Sequence, residues 1–217
     1  MRLVAHRGFA AVAPENTRAA VREAAAVADA VEVDVRRCAT GEPVVIHDEM
    51  VDRVTDGSGA VADHTLAELR ALDVLGTGEG VPTLSAVLAE IPDSIGIVVE
   101  LKAAGTETAV DRLSRSGAVV SSFVPALLSA CRGRDPSVPR ALLTDDGGPA
   151  AVETAGGLGC ARLQPSLDCC DERLVEYAHA AGLTVDVWTI ERRAAAESAA
   201  RWGVDGVIAD RPDVRPA

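Results

Sequence analysis

The 217-residue chain has few aromatic side chains, 2% in all, and one lysine, Lys102, among 21 basic residues. Long hydrophobic runs are missing as well. Apolar stretches such as residues 95–99 fall far short of the ~20 residues that a membrane span needs. The N-terminus, Met1 to His6, becomes polar at once, so no secretory signal peptide is expected. The five cysteines, Cys38, Cys131, Cys160, Cys169 and Cys170, are odd in number and include no C-x-x-C pair. This usage predicts packed, reduced thiols in a cytoplasmic protein rather than a disulfide framework or a thiolate metal site.

What is present is an excess of acid. The 33 acidic residues outweigh the basic ones and leave a net charge of −12. Such a field repels nucleic acid and anionic lipid, yet a local cationic site can still hold a small anion. Arginine in place of lysine fits either a GC-rich coding bias or a high-salt cytoplasm. Hydrophobic residues make up 48% and charged residues 25%, proportions that exclude disorder as the main state. A chain of this length buries roughly 70% of its unfolded surface and needs no cross-link merely to fold.

Along the chain, short β-branched runs alternate with Ala/Leu-rich stretches of helical period. Strands are expected at residues 3–5, 31–35, 44–46, 95–101, 118–121, 140–143, 161–163, 184–189 and 206–209. Several are apolar without alternation, as strands buried on both faces are. Helices are expected at 17–28, behind the Thr65-x-x-Glu68 capping box, and at 83–90, 106–116, 125–132, 148–155, 171–181 and 191–202. Gly182 and Gly203 stand where helix C-caps belong. Repeated strand–helix units imply an α/β fold, a (β/α)8 TIM barrel in a single domain over residues 1–217. Residues 48–82 are its loosest region, a possible loop-rich insertion.

Nine strands are one too many for that barrel. The short link 36–43 leaves no room for a helical crossover, so the second and third strands are expected to form a hairpin. A turn centred between Thr40 and Gly41 would set Asp34 directly opposite His47, with Glu32 on the same face.

Ionisable residues gather at strand ends. They are His6 and Arg7, Glu32 and Asp34, His47 and Asp48, Glu100 and Lys102, and Asp210. Charges flanked by Val and Leu are costly to bury unless paired or bound to a metal. In barrels, the C-terminal strand ends form the active-site face. Glu32, Asp34 and Glu100 offer hard oxygen ligands suited to Mg²⁺ or Ca²⁺. His6 and His47 have the side chain best suited to move protons at neutral pH. Arg7 and Lys102 are candidate phosphate-binding cations. Asp48 is expected to orient His47 or a turn. Glu15 and Asn16 are expected to cap and brace the helix after them. The cysteines receive no role.

The ordered set resembles the glycerophosphodiester phosphodiesterases. Its parts are Ala5-His6-Arg7-Gly8, Pro14-Glu15-Asn16-Thr17, Val31-Glu32-Val33-Asp34-Val35, Val44-Val45-Ile46-His47-Asp48, the 53–59 loop, Pro82-Thr83-Leu84, Val99-Glu100-Leu101-Lys102, Val187-Trp188-Thr189 and Gly203 to Pro212. The resemblance implies a (β/α)8 barrel that hydrolyses glycerophosphodiesters to glycerol phosphate and an alcohol, with a divalent cation. It further implies Glu32, Asp34 and Glu100 as metal ligands and His6 and His47 as an acid/base pair. In the family, an aromatic at the place of Trp188 packs on the glycerol moiety. The small glycerophosphodiester is then the expected partner, with no nucleic acid, no stable membrane insertion and the oligomeric state left open. Two alternatives stand beside it. One is a lysophospholipase D-like or other phosphodiesterase on the same barrel, which should carry an apolar rim or a basic face that the sequence does not display. The other is a binding barrel that has lost turnover.

Overall fold

A computed structural model describes residues 1–215 of the chain. Its strands are β1 (Arg2–Ala5), β2 (Ala30–Arg37), β3 (Pro43–Val45), β4 (Gly96–Leu101), β5 (Ala118–Ser122), β6 (Arg140–Thr144), β7 (Arg162–Pro165), β8 (Thr184–Ile190) and β9 (Gly206–Ala209). Eight of them are parallel, and the pairing of β1 with both β9 and β2 closes them into a barrel. The fold is the expected (β/α)8 barrel, and β3 is the extra strand. It runs antiparallel along the end of β2 that projects beyond the barrel.

The helices are α1 (Arg18–Ala24), α2 (Leu66–Ala71), α3 (Leu84–Leu88), α4 (Pro125–Arg134), α5 (Pro149–Gly157), α6 (Glu172–Ala180) and α7 (Arg193–Trp202). Thr17, Thr65, Thr83 and Asp171 cap α1, α2, α3 and α6 with side-chain oxygens, and Thr65 with Glu68 forms the full capping box. Gly203 ends α7 in the left-handed conformation, φ 83°, which costs glycine no steric penalty. Between β4 and β5 the expected α-helix is instead a 3-10 helix, Thr106–Arg112. There the hydroxyls of Thr106 and Thr108 bond back to the carbonyls of Ala103 and Gly105. Such bonds compete with the longer-range helical pattern.

Alternation along the buried strands sorts the side chains. Val31, Val33, Val35, Ile97, Val99 and Leu101 face outward into the main core beneath the helices. Val4, Ala30, Val98, Val119, Ala141 and Ile208 face inward and plug the barrel. Below this plug, at the N-terminal strand ends, the buried carboxylate of Asp186 takes Arg2 at 2.8 Å and Arg162 at 3.3 Å. A Cβ at residue 206 would lie 2.2 Å from the Asp186 Oδ1 atom, so only glycine admits this carboxylate. Above the plug, the same inward positions carry Glu32, Asp34, Glu100, Ser121 and Gln164.

The hairpin register differs from the expected one. Val35 stands opposite Val45, and Arg37 opposite Pro43. The loop is centred on Thr40 itself, with Gly41 at φ 96°, the left-handed position that a three-residue hairpin loop requires. Asp34 therefore faces Ile46, whose N–H donates to its carbonyl at 3.0 Å. His47 lies one residue farther on, where the chain bends away from the strand. Beyond it, the segment through residue 82 packs around a small core of its own that includes Val44, Ile46, Val54, Val61, Leu69 and Val81. Burial pushes the thiols of Cys131 and Cys160 up to about 11 and that of Cys170 up to about 12, which leaves them unreactive. Among the described residues, no helix is long and apolar enough to cross a membrane.

Candidate active site

The C-terminal strand ends surround a cleft of about 100 Å³ that brings together His6, Arg7, Glu32, His47, Glu100, Lys102 and Trp188. Asp34 lies beneath it, with its carboxylate in contact with Arg7 and Lys102. Every site residue expected from the sequence thus lies in this cleft or against it.

Three buried carboxylates form its centre. Glu32, Asp34 and Glu100 each present an oxygen within 4.8 Å of the other two. Adjacent registers place them: Asp34 and Glu100 are partners across β2 and β4, and Glu32 lies two residues back on the same face. Two cations meet them. The Lys102 Nζ lies 2.5 Å from Glu100 and 3.1 Å from Asp34, and the Arg7 Nε lies 3.2 Å from Asp34. The Arg7 backbone N–H donates to Glu32 at 3.0 Å.

The balance is uneven. Burial opposes ionisation of Asp34, but the charges of Lys102 and Arg7 overcome it and pull the carboxyl down to about 2. Burial, reinforced by the Asp34 charge, pushes Glu100 up to about 7. Glu32, desolvated beside both of the other acids, is held well above its ordinary range. The Glu32 Oε1 atom is buried without a hydrogen-bond partner. Such an orphan costs roughly 1–3 kcal/mol, more when charged. An all-oxygen triad with surplus negative charge and a free lone pair fits a hard divalent cation.

The histidines flank the triad. The His6 Nδ1 lies 2.6 Å from Asp210, and its Nε2 lies 4.0 Å from Glu32. The His47 Nδ1 lies 2.6 Å from Asp48. Burial lowers the affinity of His47 for a proton, against the pull of Asp34 and Asp48. Asp48 is held in turn by Arg53, which also grips Glu15. Glu15 reaches back to Arg7 at 3.2 Å. Asn16, at φ 60°, donates from Nδ2 to Asp34 at 2.9 Å. These contacts correct the expectation for Glu15 and Asn16: they brace the cleft, and Thr17 alone caps α1. The loop after β1 also holds Arg7 and Phe9 at positive φ. Left-handed non-glycine residues cost on the order of 1–3 kcal/mol each and gather at functional sites. A Cβ at Gly8 would come within 2.9 Å of Ala20, so this loop sits directly against α1.

On the far side, Trp188 donates from Nε1 to the carbonyl of Gln164 at 2.8 Å and meets Phe123 edge-on, with ring centroids 5.5 Å apart. Its peptide bond to Thr189 is cis. Asp210 was visible in the sequence as a charge beside the last strand, but its partner was not. Arg53, Ser121, Phe123 and Gln164 gave weaker signals. For Gln164 the signal is an amide between Leu163 and Pro165 in a strand with no exposed face.

Comparison with known proteins agrees with this geometry. A sequence model of the glycerophosphoryl diester phosphodiesterase family matches residues 6–214. A glycerophosphodiester phosphodiesterase from Caldanaerobacter subterraneus is 33% identical, covering 97% of this chain and 94% of its own. An Oleispira antarctica phosphodiesterase, solved with the product sn-glycerol-3-phosphate, superposes with a TM-score of 0.90 at 31% identity, covering 98% of this chain and 94% of that one. A glycerophosphodiester phosphodiesterase from Thermotoga maritima superposes at 0.82 with 28% identity, covering 99% and 96%. With the motifs, the closed barrel and a whole-length match in accord, the chain belongs to the glycerophosphoryl diester phosphodiesterase family.

Proposed function

We propose that the chain hydrolyses soluble glycerophosphodiesters to glycerol phosphate and an alcohol as a single catalytic unit in the cytoplasm. Glu32, Asp34 and Glu100 hold Mg²⁺ or Ca²⁺, His6 and His47 move the protons, and Arg7, Lys102 and Trp188 hold the substrate. The observation that carries this reading is the convergence on one cleft of three buried carboxylates and two carboxylate-oriented imidazoles. A divalent cation on the triad would withdraw charge from the phosphoryl group.

The rest is the work of the side chains. With Nδ1 of each histidine fixed by Asp210 or Asp48, Nε2 is the atom left to exchange a proton. One imidazole takes a proton from the nucleophile, and the other gives one to the departing alkoxide. Lys102 supplies a point charge and Arg7 a planar fork of donors beside the phosphate. Trp188 and Phe123 offer an apolar wall to the carbon skeleton of the glycerol arm.

The test is release of glycerol phosphate from glycerophosphocholine with Mg²⁺ or Ca²⁺, with and without excess chelator. Release that the chelator abolishes supports the reading; no release from folded protein in either metal refutes it. One observation favours a second substrate. Phe123, which lines the cleft, is 39% exposed, its neighbour Val124 is 43% exposed, and Val12 and Met50, on the segments after β1 and β3, are 56% and 46% exposed. An apolar rim built from these side chains would suit the acyl chain of a lysophospholipid. Lysophosphatidylcholine run beside glycerophosphocholine decides which is preferred.

A further inference from the structure

The floor of the cleft changes character around the barrel. From the triad it runs through Glu100 on β4, Ser121 on β5, Leu143 on β6 and Gln164 on β7 to Trp188 on β8. Glu100 and Ser121 are register partners, as are Leu143 and Gln164. The ionic end thus gives way to neutral polar groups and then to an aromatic one.

The neutral groups are unsatisfied. Gln164 is 0% exposed and Ser121 1%. Both amide atoms of Gln164 and the Ser121 hydroxyl lack hydrogen-bond partners within the protein. Leaving such buried groups unpaired carries their full desolvation penalty. The cost falls away when a ligand or solvent supplies the missing bonds.

We infer that Gln164 and Ser121 are specificity-determining residues that read the hydroxyls of the glycerol arm. The inference rests on the reading of the cleft as a glycerophosphodiester site. The amide offers a donor and an acceptor side by side, and the serine hydroxyl offers both in one atom. A phosphate oxygen at neutral pH would use only the donors. A polyol hydroxyl, which both gives and takes, matches the whole set. Position agrees with chemistry, because these groups lie between the triad, where the phosphate binds, and Trp188, where the glycerol carbons pack. A site built to bond a substrate hydroxyl discriminates strongly against the analogue that lacks it.

The experiment is calorimetric binding in saturating Mg²⁺. The ligands are sn-glycerol-3-phosphate, 3-hydroxypropyl phosphate (which lacks the secondary hydroxyl) and inorganic phosphate. The proteins are wild type, Gln164→Leu and Ser121→Ala. Wild type should prefer glycerol phosphate to the deoxy ester by tenfold or more, and Gln164→Leu should bring the two esters level while keeping inorganic phosphate within twofold of wild type. Ser121→Ala should narrow the preference to a lesser degree, and it decides the question if the leucine variant fails to fold. Equal binding of both esters by wild type overturns the inference. So does a preference unchanged in both variants, which would mean the groups bind only solvent, or a parallel loss of inorganic phosphate in folded variants. Failure of the broader reading is separate: it appears as absence of glycerol phosphate release from glycerophosphocholine by the wild-type enzyme.

Discussion

The two ends of the barrel bury acids in opposite ways. At the N-terminal end one carboxylate, Asp186, is gripped by two guanidiniums, Arg2 and Arg162. At the C-terminal end three carboxylates share Arg7 and Lys102. In the lower cluster the cations outnumber the acid, although the Asp186 Oδ1 atom is buried without a hydrogen-bond partner. In the upper one the acids outnumber the cations, a Glu32 oxygen is likewise without a partner, and burial, reinforced by the neighbouring acids, holds Glu32 and Glu100 above their ordinary range. Burial of charge thus has two signatures: an acid outnumbered by its cations, which fixes the fold, and a set of acids in excess of its cations, which fits a metal ion. Substitution at the lower end should alter stability alone; at the upper end it should alter chemistry with little change in stability.

The largest effect should come from His47→Ala. Its imidazole touches no barrel carboxylate, so the fold should hold while kcat falls by roughly 10²–10⁴. Undiminished turnover in a steady-state assay would remove it from the mechanism and blur the contrast. At the other end, Asp186→Asn should cost about 3 kcal/mol by leaving two arginines without their charge partner. A melting curve should then shift down by roughly 6–12 °C, with specific activity of the folded enzyme preserved. Loss of activity without loss of stability would reverse the assignment of the two ends.

Glu100→Gln sharpens the comparison. Removing one of the repelling acids should leave the metal-free protein at least as stable, yet weaken Mg²⁺ binding in calorimetry by about tenfold or more. Unchanged affinity would take Glu100 out of the coordination set. The smallest effect concerns the brace outside the triad. Asp48, held by Arg53 and by His47, lies at about 2, below the ~3.9 of an unfolded aspartate. Its contribution is therefore present above about pH 4 and disappears as pH falls toward 2. Arg53→Met should cost about 1 kcal/mol near neutrality, as befits a half-exposed ion pair, and the gap from wild type should close across that acid window in pH-resolved melts. A gap that persists at pH 2 would mean that packing, not charge, is the source.

Much of this was legible in the sequence, and the failures share a cause. The β-branched runs and their turn residues located all nine strands, because burial on both faces leaves a strong compositional mark. Charges within those runs or just after them pointed to the three carboxylates and the two histidines that the fold brings to one cleft. The hairpin register came out one residue away, since a loop centred on Thr40 and one centred after it look alike until Gly41 takes its left-handed conformation. Glu15 and Asn16 were read by their closeness in sequence to α1, whereas their partners, Arg53 and Asp34, come from other elements. The His6–Asp210 contact joins the two edges of the closed barrel, a long-range pairing that local pattern does not carry.

The hairpin and the segment behind it give the enzyme a seam. His47 and Asp48 ride on a subassembly with its own apolar nucleus, while the triad, His6 and Asp210 belong to the barrel wall. A cooperative unit of that kind opens by itself at lower free energy than global unfolding. In native-state hydrogen exchange, amides near Val44, Val54 and Leu69 should lose protection before those of β4 and β5. During such an opening the barrel would retain the proposed cation-binding end and yet have lost one of the two imidazoles proposed to carry protons. Turnover would then be extinguished at denaturant concentrations where the metal still binds.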